Sequence, residues 1–125
     1  MKLGIDMGGM SIKMGLVNEE NKIIGRITIP TDLTVPYQVL VERMADAVQQ
    51  MLENAGMTLE QCEGIGIGSP GTIDAKQGVI LYSNNFGWEN VPIVEELKKH
   101  LDTRIEIAND ADAAALGEVC AGAAE

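Results

Sequence analysis

The stretch Leu3-Gly-Ile-Asp-Met-Gly-Gly-Met-Ser-Ile-Lys-Met-Gly-Leu-Val17 decides the fold. Leu3 to Met7 is a short apolar run that ends in the pair Gly8-Gly9, and Ser11 to Val17 resumes an extended pattern at once. Glycine reverses a backbone without steric penalty, so the reading is strand, tight turn, strand. Asn18 to Lys22 is a polar turn. Beyond it Ile23, Ile24, Ile27, Thr28 and Ile29 supply the β-branched content of a third strand, which Pro30 stops. Three antiparallel strands therefore open the chain.

Outward from this start the period changes. Val39, Leu40, Met44, Ala47, Val48, Met51, Leu52 and Ala55 recur at helical spacing between Pro36 and Gly56, which predicts a helix with proline at its entrance and glycine as its C-cap. Gly64-Ile-Gly-Ile-Gly68 reads as a buried strand ending in the turn Ser69-Pro-Gly71, and Val79 to Tyr82 as a short extended piece. Pro92 to Leu101 predicts a short amphipathic helix with Pro92 in its first turn. Arg104 to Ala108 returns to strand, and an alanine-rich helix follows from about Asp112 to Gly122. The order βββαβαβα, with the Val79 piece as an extra, suggests a mixed five-stranded α/β sheet with flanking helices, as found in ribonuclease-H-like and actin-like domains. The only linker is Thr31 to Val35, so the chain reads as one domain.

Composition narrows the function. With 125 residues, 46% hydrophobic and 22% charged, the chain has enough apolar content for a folded core. Nine basic against nineteen acidic residues give a net charge of −10, which argues against nucleic acid and anionic membrane surfaces as partners. The same charge means that a phosphate site must rest on backbone N–H groups, a cation or a local lysine. Cys62 and Cys120 form no CxxC pair and read as reduced thiols of a cytoplasmic protein. No run approaches the roughly 18 to 20 apolar residues of a membrane span. His100, after Lys98 and Lys99, reads as a solvated helix end.

Four motifs carry candidate chemistry. In Asp6-Met-Gly-Gly-Met10-Ser11 the glycines permit close backbone approach to a ligand and the carboxylate can hold a metal ion through water, although a plain hairpin would read the same way. Gly66 to Gly71 matches GxGxxG but contains Pro70 and opens no helix, so a dinucleotide fold is rejected. Asn85-Phe-Gly-Trp88 offers an amide that both donates and accepts, with aromatics that suit a sugar face or, preferably, the core. Asn109-Asp110 stands where a strand meets a helix entrance, the edge at which open α/β sheets bind ligands. Asp110 and Asp112 are both candidate helix caps, which leaves one free for chemistry.

In this order the four motifs, Asp6 to Gly9, Gly68 to Asp74, Asn85 to Pro92 and Asn109 to Glu118, resemble the ROK family of sugar kinases and repressors along the whole chain. The resemblance implies the N-terminal lobe of a two-lobed actin-like kinase over 1–125. A hexose, glucose by preference, would lie in the cleft, with ATP and Mg2+ as phosphoryl donor and cofactor. It implies Asp110 as general base and Asn109, Asn85 and the backbone at Gly71 as sugar contacts. Asp6, Gly8, Gly9, Ser11 and Lys13 would lie near the phosphates and the magnesium ion. The family's zinc loop and its second phosphate loop would belong to a C-terminal lobe after Glu125. The family usually has Thr where this chain has Met10, which lacks a donor for phosphate.

Two other readings stand beside this one. A sugar-sensing repressor of the same family would carry a helix-turn-helix before the first strand, whereas here the strand begins at Leu3. An actin-like ATPase or regulatory module would share only the fold. An exposed cleft on a lone lobe could also pair with a second copy, giving a homo-oligomer.

Overall fold

Strands β1 (Lys2–Met7), β2 (Ser11–Val17) and β3 (Ile23–Pro30) form the antiparallel start, in a computed structural model that describes residues 1–109. The register pairs Ile5 with Met14, Asp6 with Lys13 and Met7 with Ile12, so the glycine pair closes a tight hairpin. Helix α1 (Tyr37–Asn54) follows, one residue shorter at its end than a C-cap at Gly56 implied. Ala55 is the C-cap, and Gly56 beyond it takes the left-handed φ of +69°. The Gly56 N–H bonds the Glu53 carbonyl and the Met57 N–H bonds that of Leu52, which satisfies carbonyls the helix leaves open and folds Met57 onto the core. The chain then makes a 3-10 turn at Leu59–Gln61, which the sequence pattern did not reveal.

After the α1 crossover, β4 (Ile65–Ser69) lies parallel to β1, with Leu3 opposite Ile65 and Asp6 opposite Gly68. Three short strands come next, β5 (Thr72–Asp74), β6 (Val79–Ser83) and β7 (Trp88–Val91), paired antiparallel in a separate sheet. Only the β6 segment was legible. Three residues of β5 are too few to display alternation, and β7 contains Asn90, whose φ of +50° suits a turn residue. Helix α2 (Ile93–Lys98) has Pro92 as its N-cap and not in its first turn, and it stops three residues before the expected Leu101. Strand β8 (Ile105–Asn109) closes the main sheet parallel to β4. The five-stranded order β3-β2-β1-β4-β8 is the mixed α/β sheet that the alternation implied. The helix expected over 112–122, with Asp110, Asp112 and Cys120, lies outside the described residues.

One core joins the elements. Leu3, Ile5 and Met7 of β1, Ile12, Met14 and Leu16 of β2, and Ile65 and Ile67 of β4 are buried with Leu40, Val41, Met44, Val48 and Met51 of α1. Each such side chain contributes about 1.5–3 kcal/mol when fully buried, so this face fixes the sheet. Alternation turns the intervening residues, Gly4, Asp6, Lys13, Gly15, Gly66 and Gly68, to the opposite face. The small sheet is tied down at Gly78, whose φ of +70° lets it lie against Val94 of α2 while its carbonyl accepts the Val94 N–H at 3.1 Å. Cys62 is buried in the same core, and burial pushes its thiol up, which suits an inert cysteine.

Candidate functional site

The carboxyl ends of β1, β4 and β8 share one edge of the sheet, and the candidate motifs gather there. At the end of β1 the Gly8 N–H donates to the Ser11 carbonyl at 2.9 Å. A Cβ on Gly8 would sit 2.7 Å from that same oxygen, so a side chain there would open the turn. Gly9 is exposed, and the nearest atom to a Cβ built on it is Asn85 Nδ2 at 3.9 Å. The sequence motifs around residues 8 and 85 therefore meet in space. Among the described residues the N–H groups of Gly9 and Met10 have no hydrogen-bond partner.

Asp6 is half-buried and faces Lys13 across the hairpin, and the two form no ion pair among the described residues. Ser11 is half-buried on the far side of the turn, opposite Pro30. Met10, at the tip, is 90% exposed, so its side chain packs on nothing that holds the fold.

Two strands away, the Asn109 side-chain amide at the end of β8 donates to the Gly71 carbonyl. Gly71 has a φ of +105° and lies so close to β6 that a Cβ would fall 2.3 Å from the Tyr82 carbonyl oxygen. A groove of about 310 Å³ is lined by Gly71, Thr72, Ile73, Ala75, Ala108 and Asn109. With β4 between β1 and β8, the glycine turn and Asn109 stand about 10 Å apart across the strands, a span that suits a sugar whose far hydroxyl meets a phosphate. Asp110, the next residue along, lies outside the described residues.

The aromatics belong to packing. Phe86 is buried, and its ring is 4.7 Å from that of Trp88, which meets Tyr37 edge-on at 6.4 Å. They lash β7 to the start of α1, as the core reading of these residues predicts. The Ser69-Pro-Gly71 turn leads into β5 and not into a helix, consistent with rejection of the dinucleotide fingerprint.

Sequence reasoning missed Thr31. Its hydroxyl donates to the Gly8 carbonyl at 2.7 Å and its N–H to the Met10 carbonyl at 3.0 Å. The signal was present in the strand register, because a strand that pairs Pro30 with Ser11 sets the next residue beside the turn. Asp32 follows, accepting from the Thr34 N–H at 3.0 Å and from Arg43 of α1 at 2.9 Å. The Thr34 hydroxyl and the Arg43 guanidinium hold the Asp32 carboxyl down to about 2.

A family model described as ROK family matches residues 2–125. The glucokinase of Thermotoga maritima is 35% identical over 122 residues, 97% of this chain and 37% of that protein. The xylose repressor of Caldicellulosiruptor bescii is 30% identical over 116 residues, 93% of this chain and 29% of the repressor. Among solved structures, a ROK family glucokinase of Streptomyces griseus in complex with glucose and AMPPNP has a TM-score of 0.79 and 30% identity, over 99% of this chain and 38% of that one. A ROK hexokinase of Thermus thermophilus has a TM-score of 0.77 and 32% identity, over 93% and 37%. The chain thus spans about 37% of the length of the curated glucokinases it matches.

Proposed function

The chain belongs to the ROK family, and from that premise we propose that residues 1–125 are the first lobe of an ATP-dependent hexose kinase of the cytoplasm. The observation that carries this reading is the convergence at one sheet edge of a glycine turn with two N–H groups that have no partner among the described residues, Asn85 beside it, and Asn109 anchored on the Gly71 carbonyl.

Each residue then has a task. Asn109 and Asn85 hydrogen-bond sugar hydroxyls, for which a group that both donates and accepts is suited. The N–H groups at Gly9 and Met10 meet phosphate oxygens, so that a lobe of net negative charge can bind an anion through dipoles. The hexose hydroxyl, the 6-hydroxyl in the glucose case, attacks the γ-phosphorus of ATP. The new O–P bond forms as the bond to the β-phosphate oxygen breaks, and the hydroxyl proton passes to the Asp110 carboxylate. Mg2+ takes one or two carboxylates plus substrate phosphates in such sites, so the single Asp6 would hold it, while Lys13 across the hairpin is a cation suited to the phosphates and not to the ion. When bound, the ion would neutralise phosphate charge. This edge supplies only part of a sugar pocket, and charge stabilisation of the phosphoryl group needs the opposing wall of a cleft. By itself the lobe is therefore expected to be inactive.

The test is hexose-dependent ADP formation by the complete protein over a panel of hexoses. Turnover with at least one hexose is expected, with Asn109→Ala raising the KM for that sugar by about tenfold, the loss of one or two hydrogen bonds. An unchanged sugar KM would remove Asn109 from the pocket. The similarity to a xylose repressor gives a second reading, a sugar-sensing lobe. Sugar binding without ATP turnover, together with specific DNA binding by the complete protein, would favour it.

Met10 gives a separate check. Because its side chain is exposed, Met10→Thr costs no packing and adds a hydroxyl donor at the tip of the turn. The KM for ATP is expected to fall by about three- to tenfold, one added hydrogen bond. A rise would mean that this turn does not meet phosphate.

A further inference from the structure

We propose that Thr31 is a positioning residue for phosphate binding, a role that rests on the kinase reading above but concerns a residue outside the four motifs. The glycine turn from Gly8 to Ser11 carries both N–H groups, which attract phosphate, and carbonyls, which repel it. Three of its groups are tied back. The Gly8 N–H is held by the Ser11 carbonyl, and the Gly8 and Met10 carbonyls are both held by Thr31, at 2.7 and 3.0 Å. The Gly9 and Met10 N–H groups, and the Gly9 carbonyl between them, have no partner among the described residues. Thr31 thereby sorts the polarity of the turn, holding two acceptors away from the face that the donors present.

The brace is itself anchored. Asp32, next in the chain, accepts from Arg43 of α1 at 2.9 Å and from the Thr34 backbone at 3.0 Å. Arg43 stands one residue before Met44, whose side chain is fully buried in the core, so the connection from Thr31 to Val35 ties the turn to the helix that packs on the sheet. Without it, peptide flips at Gly8-Gly9 are the cheapest motion available, since neither residue has a Cβ to oppose them. A flipped peptide would present a carbonyl to the phosphate.

The experiment uses the complete protein. Thr31→Val keeps the shape and the backbone N–H bond to Met10 but removes the hydroxyl bond to Gly8. Expected are about tenfold weaker ADP binding by calorimetry and an equal rise in the KM for ATP, with the KM for hexose unchanged. Thr31→Ser, which keeps the hydroxyl, should return both to wild-type values. Arg43→Gln, which leaves Thr31 in place and loosens its anchor, should show the same selectivity at about threefold. Wild-type ADP affinity in Thr31→Val overturns the proposal, and so does a parallel rise in the hexose KM, which would indicate general loosening. A Thr31→Ser variant as weak as Thr31→Val would do the same. A wild-type protein that binds no nucleotide overturns both this proposal and the kinase reading, whereas failure of the Thr31 variants alone leaves the kinase reading intact.

Discussion

Asp110→Asn in the complete protein is expected to lower kcat by about 10²- to 10⁴-fold, the range lost with a general base. Asparagine matches the carboxylate in shape and keeps one acceptor oxygen, so the hexose KM should change by less than about threefold, a difference below 1 kcal/mol. What it cannot do is take the proton. An ordinary aspartate has a pKa of about 3.9 and is a weak base toward an alcohol, so proton transfer has to come late, as the attacking oxygen gains its bond to phosphorus and becomes acidic. Removing the acceptor therefore raises the barrier of the chemical step and spares the binding steps. The split between kcat and KM is the diagnostic, since a misplaced Asn109 would raise the sugar KM as well. Asp112→Asn is the internal comparison, because it offers the same charge change two residues along, where a cap is the expected role. Turnover of Asp110→Asn within tenfold of wild type would remove Asp110 as the base. A larger loss in Asp112→Asn than in Asp110→Asn would exchange their roles.

The parts of this fold that could be read in the sequence are those with long or strongly punctuated patterns. Six of the eight α1 positions read at helical spacing are buried, with Val39 and Ala55 half-buried and Val41 and Ala45 unread, and Gly8-Gly9 sits between two runs whose residues Leu3, Ile5, Met7, Ile12, Met14 and Leu16 reach the same core. The small sheet was legible only at Val79 to Tyr82. Its other strands are three and four residues long, and their partners are set by Gly71 and Gly78, whose close approaches to β6 and α2 exist only once the chain has folded. The candidate site divides in the same way. Gly8, Gly9, Asn85, Gly71 and Asn109 are residue types suited to ligand contact at recognisable places, and the structure gathers them at one edge. Thr31 was hidden because its importance lies wholly in a register, 23 residues from the carbonyl it holds. A threonine after a strand-ending proline carries no local sign of that task.

Gly71→Ala tests the junction on which both the small sheet and Asn109 depend. Its φ of +105° lies where a side chain is strained, and its Cβ would fall 2.3 Å from the Tyr82 carbonyl oxygen and 3.1 Å from Ser83 Cα. Those neighbours are backbone atoms of β6, buried at Ser83, so no flexible side-chain end can swing aside. Strain of about 1–3 kcal/mol and overpacking of similar size add to about 3 kcal/mol or more, which corresponds to a fall in Tm on the order of 10 °C. Gly56→Ala supplies the contrast. It has a positive φ of +69° but nothing within 4 Å of a Cβ, so only the left-handed conformation is penalised, by about 1 kcal/mol. If the two variants melt together, the close approach of Gly71 to β6 is not what holds this junction. If Gly71→Ala melts low as expected, the fraction still folded at low temperature carries the second readout. The strand can relieve the clash only by moving residue 71 away from β6, and its carbonyl is the acceptor that orients Asn109. The hexose KM should then rise by about tenfold or more while the nucleotide affinity set by the glycine turn holds. Loss of nucleotide affinity in step with sugar affinity would mean that the two halves of this edge are one mechanical unit and not two.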